Sequence, residues 1–382
     1  MDRRTFVISS SVAALVAASG RVSAQTSGKE AELNAAFETI FQRFLDISPE
    51  LVTSLGLDKG SREAAKSQLD DDSASGTQKQ LQMIRKGLAE LSIFKGADLA
   101  PASALNLEVV TYFLQQQTLA PSRFGIASVG RPYRIFQQGG AYFQLPDFLN
   151  TAHTIASGAD CEAYLARLEA FAASLDSDSA VQREEASRGY LAPAFSLDLT
   201  LGQMAKLRGQ KSNSSSIVQS LVTRAGAKAI AGDWEARGAA IVDAKVYPAL
   251  DRQIELIKAL RTKTAAGDGL WRVPQGDAIY SAALKQWTTT DFPADEVHRM
   301  GLTQVAEITA QLDTILKAQG MTNGSVASRL AALNVNPDPL YSGTPEGKAS
   351  LIAGLNESVK AMYVKLPQAF ETIPKTPLEI RA

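Results

Sequence analysis

Residues 160–189 read DCEAYLARLEAFAASLDSDSAVQREEASRG, and the spacing within this stretch decides the fold class. Tyr164, Leu168, Phe171 and Leu175 recur at steps of three and four, which places them on one side of an α-helix rather than on the alternating faces of a strand. The helix spans Asp160 to Arg188, and Gly189 is its stop, because glycine enters the left-handed conformation that ends helices.

The same period recurs outward from this stretch. Upstream, Leu33, Phe37, Ile40, Phe41, Phe44 and Leu45 form one helical face that stops before Pro49, and Leu81, Ile84, Leu88 and Leu91 form a second. A third helix opens at Pro101, a good first-turn residue, with Leu105, Val109, Tyr112 and Phe113 on its buried side. Downstream, Ser196–Leu207 reads as a helix, and 209–216 (GQKSNSSS) is the most linker-like composition, a soft boundary that ends by capping the next helix. Asp233–Arg261 is helical with a kink expected at Pro248. A helix opened by Asp291-Phe292-Pro293 carries Val305, Ile308, Leu312 and Ile315 to Gly320, and Thr344-Pro345 starts a last one through Leu366. No internal repeat is present. Between Pro121 and Pro146 the period breaks at Gly125, Gly130, Pro132, Gly139 and Gly140, a long irregular segment of the kind that is functional or closely packed. Near the end, Leu378 and Ile380 alternate with Glu379 and Arg381 like a strand edge. The expectation is an all-α, multi-helix body with one long irregular loop segment and few or no short strands.

Composition narrows the function. The 382 residues hold 39 Lys+Arg against 40 Asp+Glu, 45% hydrophobic residues and one Cys. That is chain enough for two or three domains or one large helical body, with a core that needs no staple. A net charge of −1 excludes nucleic-acid binding through overall basicity, and the apolar content argues against disorder. The single Cys161 excludes an internal disulfide and a thiolate zinc cluster.

The first 24 residues read as an address. Arg3-Arg4-Thr5-Phe6 stands before an apolar run from Val7 to Ala18, and Val22-Ser23-Ala24 is a small-residue cleavage site. The paired Arg resemble a twin-arginine signal, cleaved after Ala24, and the run is too short and too polar to span a bilayer. Its removal takes away three Arg and one Asp, shifting the net charge from −1 to −3. The expected product is periplasmic, handled by the twin-arginine export machinery, with no membrane span after cleavage.

Chemical motifs are sparse. The two histidines, His153 and His298, lie far apart and neither precedes a Glu, so the His-Glu pair of a zinc peptidase is missing. They could meet around a metal with a carboxylate, or His298 could lie on a helix surface while His153 bonds backbone. No Gly-x-Ser-x-Gly elbow, P-loop or Gly-x-Gly-x-x-Gly occurs, and Ser92-Ile93-Phe94-Lys95 lacks the companion motifs of a Ser-Lys enzyme. Asp70-Asp71-Asp72 lacks the spacing of a calcium loop, and Cys161 reads as a small buried hydrophobe. No catalytic and no metal-ligating residue is assigned. The best site candidate is the irregular segment, where Arg131, Tyr133, Arg134, Gln138, Gly139 and Gly140, with His153 beyond, combine cations, an aromatic ring and an amide suited to holding a peptide or carboxylate.

Four stretches together resemble the N-terminal part of the bacterial family catalogued as domain of unknown function 885. They are Ser48–Leu57 (SPELVTSLGL), Gly140–Leu149 (GAYFQLPDFL) followed by His153, Val246–Leu250 (VYPAL), and Thr288-Thr289-Thr290 with Glu296, Val297, His298 and Gly301. The resemblance runs from about Glu30 to the last residue. It implies an exported, helical, zinc-metallopeptidase-like protein whose metal-binding His-Glu motif lies in a C-terminal half, downstream of a segment like Pro374–Arg381. The chain ends at Ala382, so the resemblance implies the substrate-cleft half alone, truncated and inactive by itself, with zinc only where the other half is present. The alternative is a complete, non-catalytic periplasmic peptide-binding or interaction module.

Overall fold

The computed structural model describes residues 28–335 and 341–380; the leader expected over residues 1–24, with Arg3, Arg4 and Ala24, lies outside the described residues. Among the described residues there are fourteen α-helices and no strand, only an isolated bridge between Phe136 and Gly139. The chain divides into two units after Phe292.

The first unit begins with α1 (Gly28–Ile47), α2 (Pro49–Ser54), a 3-10 stretch (Gly60–Ser67), α3 (Ala74–Ser92) and α4 (Pro101–Arg123). Leu33, Phe37, Ile40, Ile84, Leu91, Val110 and Leu114 close their common core. The apolar face of α4 differs from the expected one. Leu105 and Val109 are exposed, while Val110, Leu114 and Ala120 are buried. Residues 105–114 are apolar nearly all round, so the period did not select a face and packing against α3 did.

A second core joins α5 (Ala141–Thr151), α6 (Gly158–Ser187), α7 (Ala194–Arg208), α8 (Ser216–Ala227), α9 (Trp234–Ile241) and α10 (Tyr247–Arg261). The stripe Tyr164, Leu168, Phe171, Leu175 is buried at its centre, with Cys161 beside it. The 209–216 segment, read as a soft boundary, is a short link with a 3-10 turn (Ser212–Ser214) inside this unit. Its Ser215 precedes α8 but does not cap it, because its hydroxyl donates back to Ser212 O at 2.7 Å. The irregularity expected at Pro248 lies one turn earlier, in a π-turn (Val242–Val246) where the Tyr247 N–H donates to Val242 O. The proline ring cannot accommodate the carbonyl four residues back, so the helix widens ahead of it.

The irregular segment is shorter than expected. Helix α4 continues through Pro121 to Arg123, and α5 starts at Ala141 and contains Pro146, leaving residues 124–140 outside regular helix. Both ends of this segment are anchored. Ile126 and Val129 join a third core with Ala120, Phe124 and residues of α11 (Gly276–Thr288), and Ile135 and Phe136 join the second.

The second unit comprises α12 (Ala294–Ala318), α13 (Val326–Val335) and α14 (Pro345–Lys365). Asp291, in the stretch expected to open α12, pairs with Lys285 at 2.5 Å and does not cap the helix, while Thr344 caps α14 by accepting from the Gly347 N–H at 3.2 Å. Residues 378–380 form no strand. The Asn356 amide does the pairing a strand would do, accepting from the Ile380 N–H at 2.8 Å and donating to Ile380 O at 2.9 Å.

Candidate functional site

The irregular segment is moulded on one face of α6. Where the apolar stripe Leu168, Phe171, Leu175 continues, the side chains turn polar at Asp178, Gln182 and Glu185, all buried. Each receives a backbone N–H of the segment or of the helix after it: Glu185 from Arg134 at 2.6 Å, Gln182 from Ile135 at 2.7 Å, and Asp178 from Ala141 at 2.6 Å. A loop that carries its own N–H groups into the interior must find such acceptors, and steps of four and three along a helix supply them in register. The Arg134 side chain completes the clamp by pairing with Asp178 and Asp72. Burial alone would lower the Arg134 pKa, but the two carboxylates outweigh it and hold the group charged. Burial pushes the Glu185 carboxyl up to about 7, against the opposing pull of the Arg134 N–H.

Beyond Arg134 the chain makes a tight reversal. Phe136 and Gly139 exchange N–H···O bonds, at 2.9 Å and 3.4 Å, around a left-handed Gln138 with φ +64°. The Phe136 ring lies over Gly139 so closely that a Cβ there would stand 2.2 Å from it. Gly140, at φ +102°, turns the chain into α5. The Tyr142 hydroxyl lies 2.9 Å from Phe136 O and 2.8 Å from Gln203 Oε1 and binds the reversal to α7.

Beside this reversal lies a cavity of about 610 Å³. Arg131, Tyr133, Phe136 and Gln138 form one wall, Phe195 and Ser196 of α7 a second, and Asp268, Trp271, Arg272, Asp277 and Tyr280 a third. Trp271 sits in a 3-10 turn (Leu270–Arg272) and is 74% exposed. Its ring lies on Gly269, where a Cβ would stand 1.7 Å from it, so only glycine permits this seat. Arg272 donates to Leu191 O at 2.5 Å and to Thr264 Oγ1 at 3.3 Å, and its buried Nε–H has no partner among the described residues.

Of the residues singled out in the sequence, Arg131, Tyr133 and Gln138 reach the cavity wall. Arg134, Gly139 and Gly140 shape the segment instead. His153 is elsewhere, buried after α5: its Nε2 bonds Asp160 O at 2.9 Å and its Nδ1 meets Arg167 Nη1 at 2.9 Å. Of the two readings left open for the histidines, the structure gives backbone bonding for His153 and an exposed helical position for His298. The acidic run is divided among tasks: Asp70 exchanges N–H bonds with Glu50 at 3.0 and 3.1 Å, Asp71 accepts from Ser73 at 2.5 Å, and Asp72 clamps Arg134. Among the described residues no group of three His, Cys, Asp or Glu could hold a metal ion, and no helix is long and apolar enough to cross a membrane.

Sequence reasoning missed the α6 acceptors and the whole third wall. A signal existed for the first, since Asp178, Gln182 and Glu185 extend the apolar stripe at its own spacing. For the second, Asp268-Gly269-Leu270-Trp271-Arg272 repeats the mixture of Gly, aromatic and Arg that marks residues 131–140.

The family described as "Bacterial protein of unknown function (DUF885)" matches residues 49–382, and the chain belongs to it. The match occupies nearly the whole chain, which corrects the expectation of an N-terminal part alone, and it begins at Pro49 rather than near Glu30. The crystal structure of "the putative lipoprotein from Colwellia psychrerythraea" is similar in fold, with a TM-score of 0.77 at 20% identity. The alignment covers 90% of this chain and 61% of that one, so this chain spans about three-fifths of the length of that protein. No curated protein matches.

Proposed function

We propose that this member of the DUF885 family is an exported, periplasmic protein whose cavity beside residues 130–138 holds a peptide without cutting it. One observation carries the reading. Charged groups of both signs, side-chain amides and five aromatic rings converge on a single cavity of about 610 Å³, within the usual size range for small-ligand sites. The lining contains carboxylates but no imidazole and no thiol, so it does not fit a catalytic zinc ion, which draws on such ligands.

Export is supported by Arg3-Arg4, the short apolar run and Ala24, and by the description of the Colwellia protein as a lipoprotein. Changing Arg3 and Arg4 together to Lys should hold the precursor in the cytoplasm; unchanged export would refute the twin-arginine route.

The binding reading is tested by titrating the protein with a mixed-sequence peptide library and identifying retained peptides by mass. Retention that falls in Trp271→Ala supports it. No retention, or cleavage that stops on chelation, overturns it.

A further inference from the structure

We infer that the cavity is built for a short zwitterionic peptide, with both termini free and a bulky apolar side chain; this rests on the peptide reading and specifies its ligand class. The first ground is charge. Arg131, Arg272, Asp268 and Asp277 all line the cavity, and among the described residues none of the four is in an ion pair. Elsewhere in the same unit such groups do pair, as Arg252 with Asp176 at 2.6 Å and Arg261 with Asp198 at 2.7 Å. The cavity therefore offers two guanidinium groups and two carboxylates that are not bonded to one another, although Asp268 lies near enough to Arg272 to act on it electrostatically. A ligand of one sign would use half of this set and be repelled by the rest, whereas a terminal carboxylate and a terminal ammonium use both.

The second ground is apolar surface. Trp271, Phe195 and Tyr280 are 74%, 51% and 48% exposed, yet all three line this one cavity. Large rings left open to water are a surface for a bulky apolar group, which a peptide side chain supplies.

The third ground is preorganisation. Arg272 is held by Leu191 O and Thr264 Oγ1, and Trp271 is seated on Gly269, so neither group must be ordered when the ligand arrives. Arg272 carries more N–H groups on Nη1 and Nη2 than those two bonds consume, while its Nε–H is buried away from solvent. Loss of solvation lowers its pKa, as expected of a cation without a bonded counter-ion.

The test is calorimetric titration of the full chain with the dipeptide Ala-Phe, with its C-terminal amide, and with N-acetyl-Ala-Phe. Ala-Phe should bind saturably, and each blocked form should bind at least about tenfold more weakly, the effect of stranding one charged partner. In Arg272→Gln, Ala-Phe and its amide should bind alike, because the group that tells them apart is gone. Should that variant fail to fold, Arg131→Gln, at an exposed position, serves for the same comparison, and the blocked ligands test the wild-type protein directly. Equal binding of all three ligands, or retention of library peptides with no binding of Ala-Phe, overturns the zwitterion inference and leaves the peptide cleft standing. No binding of the three ligands and no retained library peptide overturns both.

Discussion

The guanidinium of Arg167 donates from Nη1 to Nδ1 of His153 at 2.9 Å, deep in the first unit where both side chains are almost wholly buried. The arrangement fixes the imidazole as neutral. Nδ1 must present a lone pair to Arg167, so the ring proton is on Nε2 and is donated to Asp160 O. The other nitrogens of Arg167 bond Gln68 O, Thr53 Oγ1 and Ala65 O, which ties α2 and the 3-10 stretch to α6. The histidine read as a cleft residue is part of this internal strut.

A pH dependence follows from the strut. Burial, with Arg167 and Arg224 adding to it, pushes His153 down to about 4 from an unfolded value of about 6.5. The unfolded chain gains its proton first, so this stability is complete above pH 6.5 and is lost as pH falls toward 4. The loss should reach about 2 kcal/mol at pH 5. Urea unfolding of wild type and His153→Asn at pH 7 and pH 5 isolates it, since only wild type carries the term. Equal slopes in the two proteins would contradict the neutral assignment.

Glu185 titrates in the opposite sense. Its folded pKa of about 7 lies above the ordinary carboxylate value, so its contribution is fullest below about pH 4.5 and is lost as pH rises through 7. Glu185→Gln keeps an oxygen for the Arg134 N–H and removes the titration. The variant should gain up to about 3 kcal/mol over wild type between pH 5 and pH 8. Melting curves that stay parallel across that range would show that the carboxyl does not titrate there.

Arg134 has two carboxylate partners of unequal worth. Asp178 is fully buried and also accepts the Ala141 N–H, while Asp72 is half-exposed. Asp178→Ala should cost about 3–5 kcal/mol by stranding a cation and a backbone donor, and Asp72→Ala about 0–1 kcal/mol. Denaturation midpoints of the two variants decide it. A smaller loss for Asp178 would mean that the segment does not depend on α6 for its shape.

Two glycines separate space from backbone freedom. A Cβ at Gly139 would meet the Phe136 ring at 2.2 Å, whereas one at Gly202, in α7, meets nothing within 4 Å. Gly139→Ala should cost about 1–3 kcal/mol and weaken peptide binding, because Phe136 must leave the cavity wall. Gly202→Ala should stabilise by about 0.5–1 kcal/mol through helix propensity alone. Thermal unfolding and peptide titration on both variants check the contrast.

Much of the fold was legible because helical period is a local property. Tyr164, Leu168, Phe171 and Leu175 specify a buried helical stripe whatever they pack against, and Gly189, at φ +89°, stops it as read. The same locality marked 131–140 as unusual, and five of its residues (Arg131, Tyr133, Phe136, Gln137 and Gln138) reach the cavity wall. Locality fails where a helix is apolar on several sides, as in α4, and at prolines, whose effect depends on which carbonyl lies one turn back.

By itself, the sequence determined the helical class, the helices along the chain and the irregular segment between them. Only the tertiary structure decided which polar residues are fasteners and which line the cavity. Arg134 and Arg131 are near-identical neighbours in sequence, but one meets Asp178 across 44 residues and the other opens onto a wall formed by Asp268–Arg272. Those contacts are set by how α6, α7 and α11 pack, and the energy that distinguishes a clamp from a binding group arises only when the partners meet.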